Sequence, residues 1–233
     1  MTLDITIHKN ILVNILKDIF TDPHIAPYLG FKGGTAALLF YNLSRFSVDL
    51  DFDLLDKEKE DYIFDAINTI LKRYGNVKAQ KKRFSLFFLL SYKDKLDGAQ
   101  NIKVEINKRT FGSEYEVKHY LGIAMLVMIK EDMVAHKLVA MHERIGTTNR
   151  DIFDVWFFLH SNWAINTKII EQRTNMTFKA FLQTCIHELE KMSNRNILSG
   201  IGELVDEKQK AWVKSKLLPE TIFLLKLALS NAR

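Results

Sequence analysis

Between Val48 and Leu54 apolar and acidic residues alternate one by one, Val48, Leu50, Phe52 and Leu54 against Asp49, Asp51 and Asp53. Only an extended strand sorts such a run, because successive strand side chains point to opposite faces, whereas a helix would scatter them around its axis. The apolar row must cover a core, which leaves the three carboxylates on the other face. Like charges that close repel one another and add nothing to a strand, so a positive partner is expected there. A divalent metal is the simplest choice. Hard oxygen ligands at i and i+2 suit Mg²⁺ or Mn²⁺, which keep part of their coordination sphere for water and substrate phosphates.

Two other stretches bear on this strand. In Lys103 to Asn107, Val104 and Ile106 fall on one face and Lys103, Glu105 and Asn107 on the other. If both apolar rows cover one core, Glu105 shares the sheet face of Asp49 and Asp51, completing a set of metal-binding acids. Upstream, Gly33-Gly34 permits close approach of backbone to a ligand, and Thr35 opens a helix through Tyr41 whose free N–H groups and dipole favour a phosphate. Alone, a glycine pair before a helix is usually a turn and an Asp-x-Asp strand usually solvated surface; their combination points to a metal and nucleotide site.

Around these motifs the chain reads as α+β. Amphipathic helices are expected around Ile11 to Phe20 and Tyr62 to Leu71, and extended segments over Asn76 to Lys82, Phe84 to Tyr92 and Ile102 to Asn107, with a turn in Lys93 to Ala99. After about Lys118 the periodicity is almost wholly helical: Glu131 to Arg144, Arg150 to His160, Ile169 to Ser193 with a break near Asn175, and Leu204 onward. This divides the chain into an α/β catalytic region, residues 1–118, carrying a small mixed or antiparallel sheet, and a helical region, residues 119–233, packed against it with the nucleotide between them. With 233 residues, 47% of them hydrophobic, such a chain can bury a core without staples, and its single Cys185 cannot form an intramolecular disulfide. The longest apolar runs, such as Ile123 to Ile129, are far short of the ~20 residues a membrane span needs. Asp4 interrupts any leader-like start, so a cytoplasmic protein with no membrane partner is expected. A net charge of +5 is compatible with a phosphate-bearing partner and decides little more.

The glycine pair at a helix start, Asp-hydrophobic-Asp on the next strand and a carboxylate on a later one together resemble the polymerase-beta-like nucleotidyltransferase superfamily. The fuller string Gly33-Gly34-Thr35-Ala36-Ala37-Leu38, then Arg45-Phe46-Ser47 leading into Asp49-Leu50-Asp51-Phe52, resembles its AbiEii/AbiGii group of nucleotidyltransferase toxins. Lys130-Glu131-Asp132, Ala135-His136-Lys137-Leu138 and Arg150-Asp151-Ile152-Phe153-Asp154 are similar to that group's later helical motifs. The resemblance implies an enzyme that moves an NMP group from an NTP to an acceptor hydroxyl, here of RNA such as a tRNA end, as the toxin of a type IV toxin–antitoxin or abortive-infection pair with a cognate antitoxin. It implies that Gly33, Gly34 and Thr35 cradle the triphosphate, with Arg45, Ser47 and Asp154 also near the nucleotide. Asp49, Asp51 and Glu105 would hold Mg²⁺ or Mn²⁺, and Lys137 would reach the phosphates.

Blander readings remain open for individual residues. Asp53 competes with Asp49 for the metal-binding pair, and the third acid is Glu where Asp is commoner. Lys137 could be a solvated helix residue, and Arg150 and Asp151 a brace within the helical region. Lys78, Lys81, Lys82 and Arg83, with Lys103, Lys108 and Arg109, could bind an RNA backbone or merely protect strand edges. A small-molecule or protein acceptor, or an inactive nucleotide- or RNA-binding module, are the alternative functions. No histidine spacing suggests zinc.

Overall fold

The computed structural model describes residues 4–92 and 100–232. The expected turn at Lys93 to Ala99 lies outside them. The chain forms two compact units. The first comprises Met1–Asn42, Phe46–Thr110 and Glu114–Met128, and the second Leu43–Arg45, Phe111–Ser113 and Ile129–Arg233.

The first unit is built on a seven-stranded mixed sheet in the order β3-β4-β5-β2-β1-β7-β6. Its strands are β1 (Leu29–Lys32), β2 (Leu50–Leu54), β3 (Asn76–Lys81), β4 (Ser85–Ser91), β5 (Asn101–Asn107), β6 (Tyr115–Tyr120) and β7 (Ile123–Met128). The α-helices among its described residues are α1 (Ile5–Phe20), α2 (Gly33–Tyr41) and α3 (Glu60–Lys72). Strand alternation sets the core. Phe31 from β1, Leu50 and Phe52 from β2, Leu86 and Phe88 from β4 and Val104 and Ile106 from β5 are all fully buried. The buried faces of α1 (Leu12, Ile15, Leu16, Ile19) and α3 (Ile63, Ile67, Leu71) complete this core. Phe20 meets the Phe31 and Phe52 rings at 6.3 and 6.2 Å, and Phe64 meets Phe88 at 5.1 Å. The α1 start is fixed by Asp4, whose carboxylate accepts from the Ile7 amide at 3.1 Å.

The central pairings place the acidic strand. β2 runs antiparallel to β1, with Lys32 opposite Asp51, and parallel to β5, with Asp51 opposite Glu105. β4 runs antiparallel to β5, with Phe87 opposite Glu105, and β3 lies outside β4 as an edge.

Helices begin at Lys130, not soon after Lys118 as the sequence suggests, because β6 and β7 form an antiparallel hairpin that finishes the sheet. β6 is an edge strand with no buried side chain, so it carries no two-residue hydrophobic signal, and the continuous apolar run of β7 suits strand or helix equally. The second unit contains α4 (Lys130–Arg144), α5 (Arg150–His160), α6 (Thr167–Thr174), α7 (Phe178–Lys191), α8 (Glu207–Trp212) and α9 (Leu218–Asn231). Asn175, in the left-handed conformation at φ 56°, ends α6 where a break is expected. Leu138, Phe153, Phe158, Phe181, Leu182 and Leu225 are buried in its interior, and Trp163 stacks on Phe158 at 4.5 Å. Among the described residues no helix is long and apolar enough to cross a membrane.

Candidate active site

Each acid is placed by strand geometry. Asp51 and Glu105 stand side by side on neighbouring parallel strands, both half-buried and on the face opposite Phe52 and Ile106. Asp49 lies one residue before β2, in irregular backbone and half-buried. The strand is therefore shorter than the expected run from Val48, and Asp49 stands just before it. Asp53, though in phase with Asp51, is buried and fully engaged: Lys32 Nζ approaches at 2.6 Å, Tyr115 donates its hydroxyl at 2.5 Å and Asn107 its amide at 2.8 Å. Tyr115 reaches it because Gly30 has no side chain; a Cβ there would meet the Tyr115 ring at 2.2 Å. Burial pushes the Asp53 carboxyl up, but the Lys32 charge and these three hydrogen bonds outweigh it and hold the pKa below the usual value.

Lys103 joins the acids, a role the sequence does not single out. Its ammonium lies 3.1 Å from Glu105 and 3.5 Å from Asp51. Burial alone would lower its pKa, yet the charges of Asp51, Asp49 and Glu105 raise it, so it stays a cation. Burial likewise opposes ionisation of Glu105, but the Lys103 charge, hydrogen bonds from Lys103 and Ser85 and the charge of Lys82 keep its pKa low. The signal was present in Lys103-x-Glu105, two residues on one strand face.

The glycine turn adjoins these acids. Gly33 begins α2 at φ +79°, and a Cβ added there would lie 2.5 Å from Asp51 Oδ2. The missing side chain is what lets the Asp51 carboxylate approach the helix start. Thr35 faces inward: its hydroxyl donates to the Asp49 carbonyl and meets Ser47 Oγ at 2.9 Å. The carbonyl can only accept, so the single Thr35 proton goes to it and the Ser47 proton completes the second bond. Both hydroxyls are thereby used to fix the backbone that carries Asp49, and no side chain caps the start of α2. His8, from α1, supports the same segment through Nε2 to the Val48 carbonyl at 3.0 Å.

In the second unit, Arg45, Lys137, Arg144, Asp151 and Asp154 form one ion-pair network. Arg45 binds Asp154 in bidentate fashion, with Nε and Nη2 each 2.6 Å from a carboxylate oxygen. Lys137 bridges Asp151 and Asp154 at 2.8 Å to each, and Arg144 reaches Asp151 at 3.1 Å. Burial would raise the Asp151 pKa, but the Lys137 and Arg144 charges dominate and bring it to about 2. The sequence brings Arg45, Lys137 and Asp154 forward as nucleotide contacts; here they hold one another. Arg150 and Asp151, placed among the braces, lie at the α5 start, with Asp151 in this network.

A family model described as "Nucleotidyl transferase AbiEii toxin, Type IV TA system" matches residues 14–220. The chain belongs to the AbiEii family of nucleotidyltransferase toxins. Among solved structures, JHP933 from Helicobacter pylori aligns with a TM-score of 0.64 at 19% identity, covering 99% of this chain and 94% of that one. A second H. pylori protein, described as a candidate nucleotidyltransferase, aligns with a TM-score of 0.63 at 20% identity, covering 99% and 97%. At these identities the likeness shows the fold. No curated protein matches the chain in sequence. AbiEii membership makes this chain a nucleotidyltransferase of a type IV toxin–antitoxin family, a kind of enzyme that generally uses an NTP and a divalent metal.

The donor set suits such a metal: Asp49, Asp51 and Glu105 offer only hard carboxylate oxygens, and the bare Gly33 lets the Asp51 carboxylate lie against the start of α2. Among the described residues no three acidic, histidine or cysteine side chains stand ready-made around one point. The Lys103 ammonium is the counter-charge that Asp51 and Glu105 share.

Proposed function

We propose that this chain transfers a nucleoside monophosphate from an NTP to a hydroxyl at an RNA end, such as that of a tRNA, in the cytoplasm, with Mg²⁺ (or Mn²⁺) held by Asp49, Asp51 and Glu105. The observation that carries the reading is the side-by-side placement of Asp51 and Glu105 next to the Gly33 turn. In this reaction the acceptor oxygen forms a bond to the α-phosphorus, the bond from that phosphorus to the pyrophosphate oxygen breaks, and pyrophosphate leaves with its electrons. The hydroxyl proton departs toward the ionised Glu105 carboxylate. The bound cation would offset phosphate charge and make the acceptor hydroxyl easier to deprotonate. The Gly33, Gly34 and Thr35 amides at the α2 start orient the triphosphate, because they point outward from an unpaired helix end. Lys103 keeps the acids from repelling one another before substrate and cation arrive. The cognate antitoxin would restrain this activity.

The test is incubation with labelled NTPs, Mg²⁺ and total RNA. Labelled RNA supports the reading. Label on protein or on a small molecule would overturn the RNA acceptor, and nucleotide binding without turnover would overturn the reaction. Asp49→Asn and Asp51→Asn should each abolish transfer with the melting temperature little changed, since each removes a metal-binding charge from a half-exposed position.

A further inference from the structure

The face carrying Asp51 and Glu105 continues outward across two more strands. In one cross-strand row stand Lys32, Asp51, Glu105, Phe87 and Gln80, and in the next Lys103, Leu89 and Lys78. Phe87 and Leu89 are half-exposed there, although the opposite face of the same strand, Leu86, Phe88 and Leu90, is fully buried. Lys78, Gln80 and Lys82 are exposed around them. The Lys82 ammonium sits 3.8 Å from the Phe87 ring centroid, and its charge acts on Glu105. At the strand end, Phe84 is 49% exposed, with the guanidinium carbons of Arg83 and Arg109 at 4.8 and 5.5 Å from its ring centroid.

The basic run of the sequence is sorted by this geometry. Lys81 turns to the helix side and pairs with Asp61 at 2.7 Å, Lys108 pairs with Glu60 at 2.9 Å, and Lys103 belongs to the acids. Lys78, Lys82 and Arg83 stand beside the half-exposed ring of Phe87 and the exposed ring of Phe84. An aromatic ring among cations suits a chain that alternates flat bases with phosphates, since any base can stack and every phosphate is attracted. An acidic peptide would use the charges but leave the rings unexplained.

We infer that the outer face of β3 and β4 is the acceptor platform: the last unpaired nucleotides of an RNA lie across Phe87, with a base on its ring and phosphates on Lys78 and Lys82. This rests on the reaction proposed above and adds where its acceptor binds. Phe87 is one strand from Glu105 and two from Asp51, about 5 and 10 Å at ordinary strand spacing. A base stacked there places the terminal hydroxyl next to the acids. Lys82 covers the ring in the free protein and moves to the phosphate when the base takes its place.

The test measures fluorescence anisotropy of a labelled unstructured RNA oligonucleotide with the full chain in the absence of NTP, together with the affinity for a fluorescent NTP. Phe87→Ala should weaken RNA binding about tenfold or more, the scale of one lost stacking contact, and Phe87→Trp should restore it. Lys82→Gln should weaken binding to all sequences and reduce the slope of log affinity against log salt by about 0.7. Equal binding of a DNA oligonucleotide would support the platform and show that it does not read the 2′-hydroxyl. Unchanged RNA affinity in Phe87→Ala, absence of RNA binding by the unmodified protein, or tighter binding of a blunt duplex would overturn the platform. Parallel loss of RNA and NTP affinity would also overturn it, marking Phe87 as structural; the Phe84→Ala variant, at a more exposed ring, keeps the test independent of folding. Transfer of label to RNA that survives in Phe87→Ala with unchanged affinity would sink the platform and leave the reaction standing.

Discussion

Replacing Gly33 by alanine should separate the cost of the fold from the cost to the reaction. Gly33 has φ +79°, where an L side chain costs about 1–2 kcal/mol. The added Cβ would also stand 2.5 Å from Asp51 Oδ2, 2.9 Å from its Cβ and 3.1 Å from its Cγ. Rotating the carboxylate relieves only the first of these, since the Asp51 Cβ is fixed to the strand. Ordinary carbon contacts need about 3.5 Å, so Asp51 or the α2 start must yield by roughly half an ångström or more. A reacting group displaced by about 1 Å can lose a hundredfold in rate. Gly122 supplies the control: it has φ +80° and nothing within 4 Å of the position a Cβ would take. Gly122→Ala should lower stability in urea by about 1–2 kcal/mol and Gly33→Ala by more, the excess being the clash with Asp51, while only Gly33→Ala loses on the order of a hundredfold in NMP transfer. Full transfer in Gly33→Ala would refute the argument that the glycine exists to admit Asp51.

The second-unit network predicts acid sensitivity. With the Asp151 pKa at about 2, against the 3.8 of an unperturbed aspartate, its ionised form contributes about 2 kcal/mol that is present above the unfolded value and lost as pH falls through the folded one. The stability gap between the protein and Asp151→Asn should therefore shrink by about 2 kcal/mol between pH 6 and pH 2; a constant gap would show that the carboxylate is not held ionised. Asp53→Ala strands the Lys32 ammonium, the Tyr115 hydroxyl and the Asn107 amide, and should cost about 3 kcal/mol in urea unfolding. A loss below about 0.5 kcal/mol would place Asp53 outside the supporting structure. Cys185 is fully buried, with burial pushing its thiol up to about 12, so a disulfide reagent should react with it only on unfolding. Rapid reaction of the native protein would contradict that burial.

Much of this protein was legible because its signals are local. The alternation through Leu50 to Leu54, the periodicity of α1, α3, α4 and α5, and the glycine turn before α2 each record a backbone conformation that neighbouring residues alone impose. The same alternation assigned Asp51 and Glu105 to one kind of face, since a strand has only two. Strand order was beyond it. Whether β2 pairs with β5, in which direction and with Asp51 opposite Glu105, depends on which strand best buries its apolar row against α1 and α3, a competition among distant segments. For the same reason Asp49 and Asp53, equivalent in the sequence, part company: Tyr115 and Asn107 arrive from strands far along the chain to claim Asp53. Lys81 and Lys82, adjacent in sequence, end on opposite sides of the sheet, one serving a helix and the other the face beside Glu105. Chemistry was written in the residue types; the tertiary pairing chose which of those residues are free to perform it, because a charge is used by whichever opposite charge the fold brings within reach.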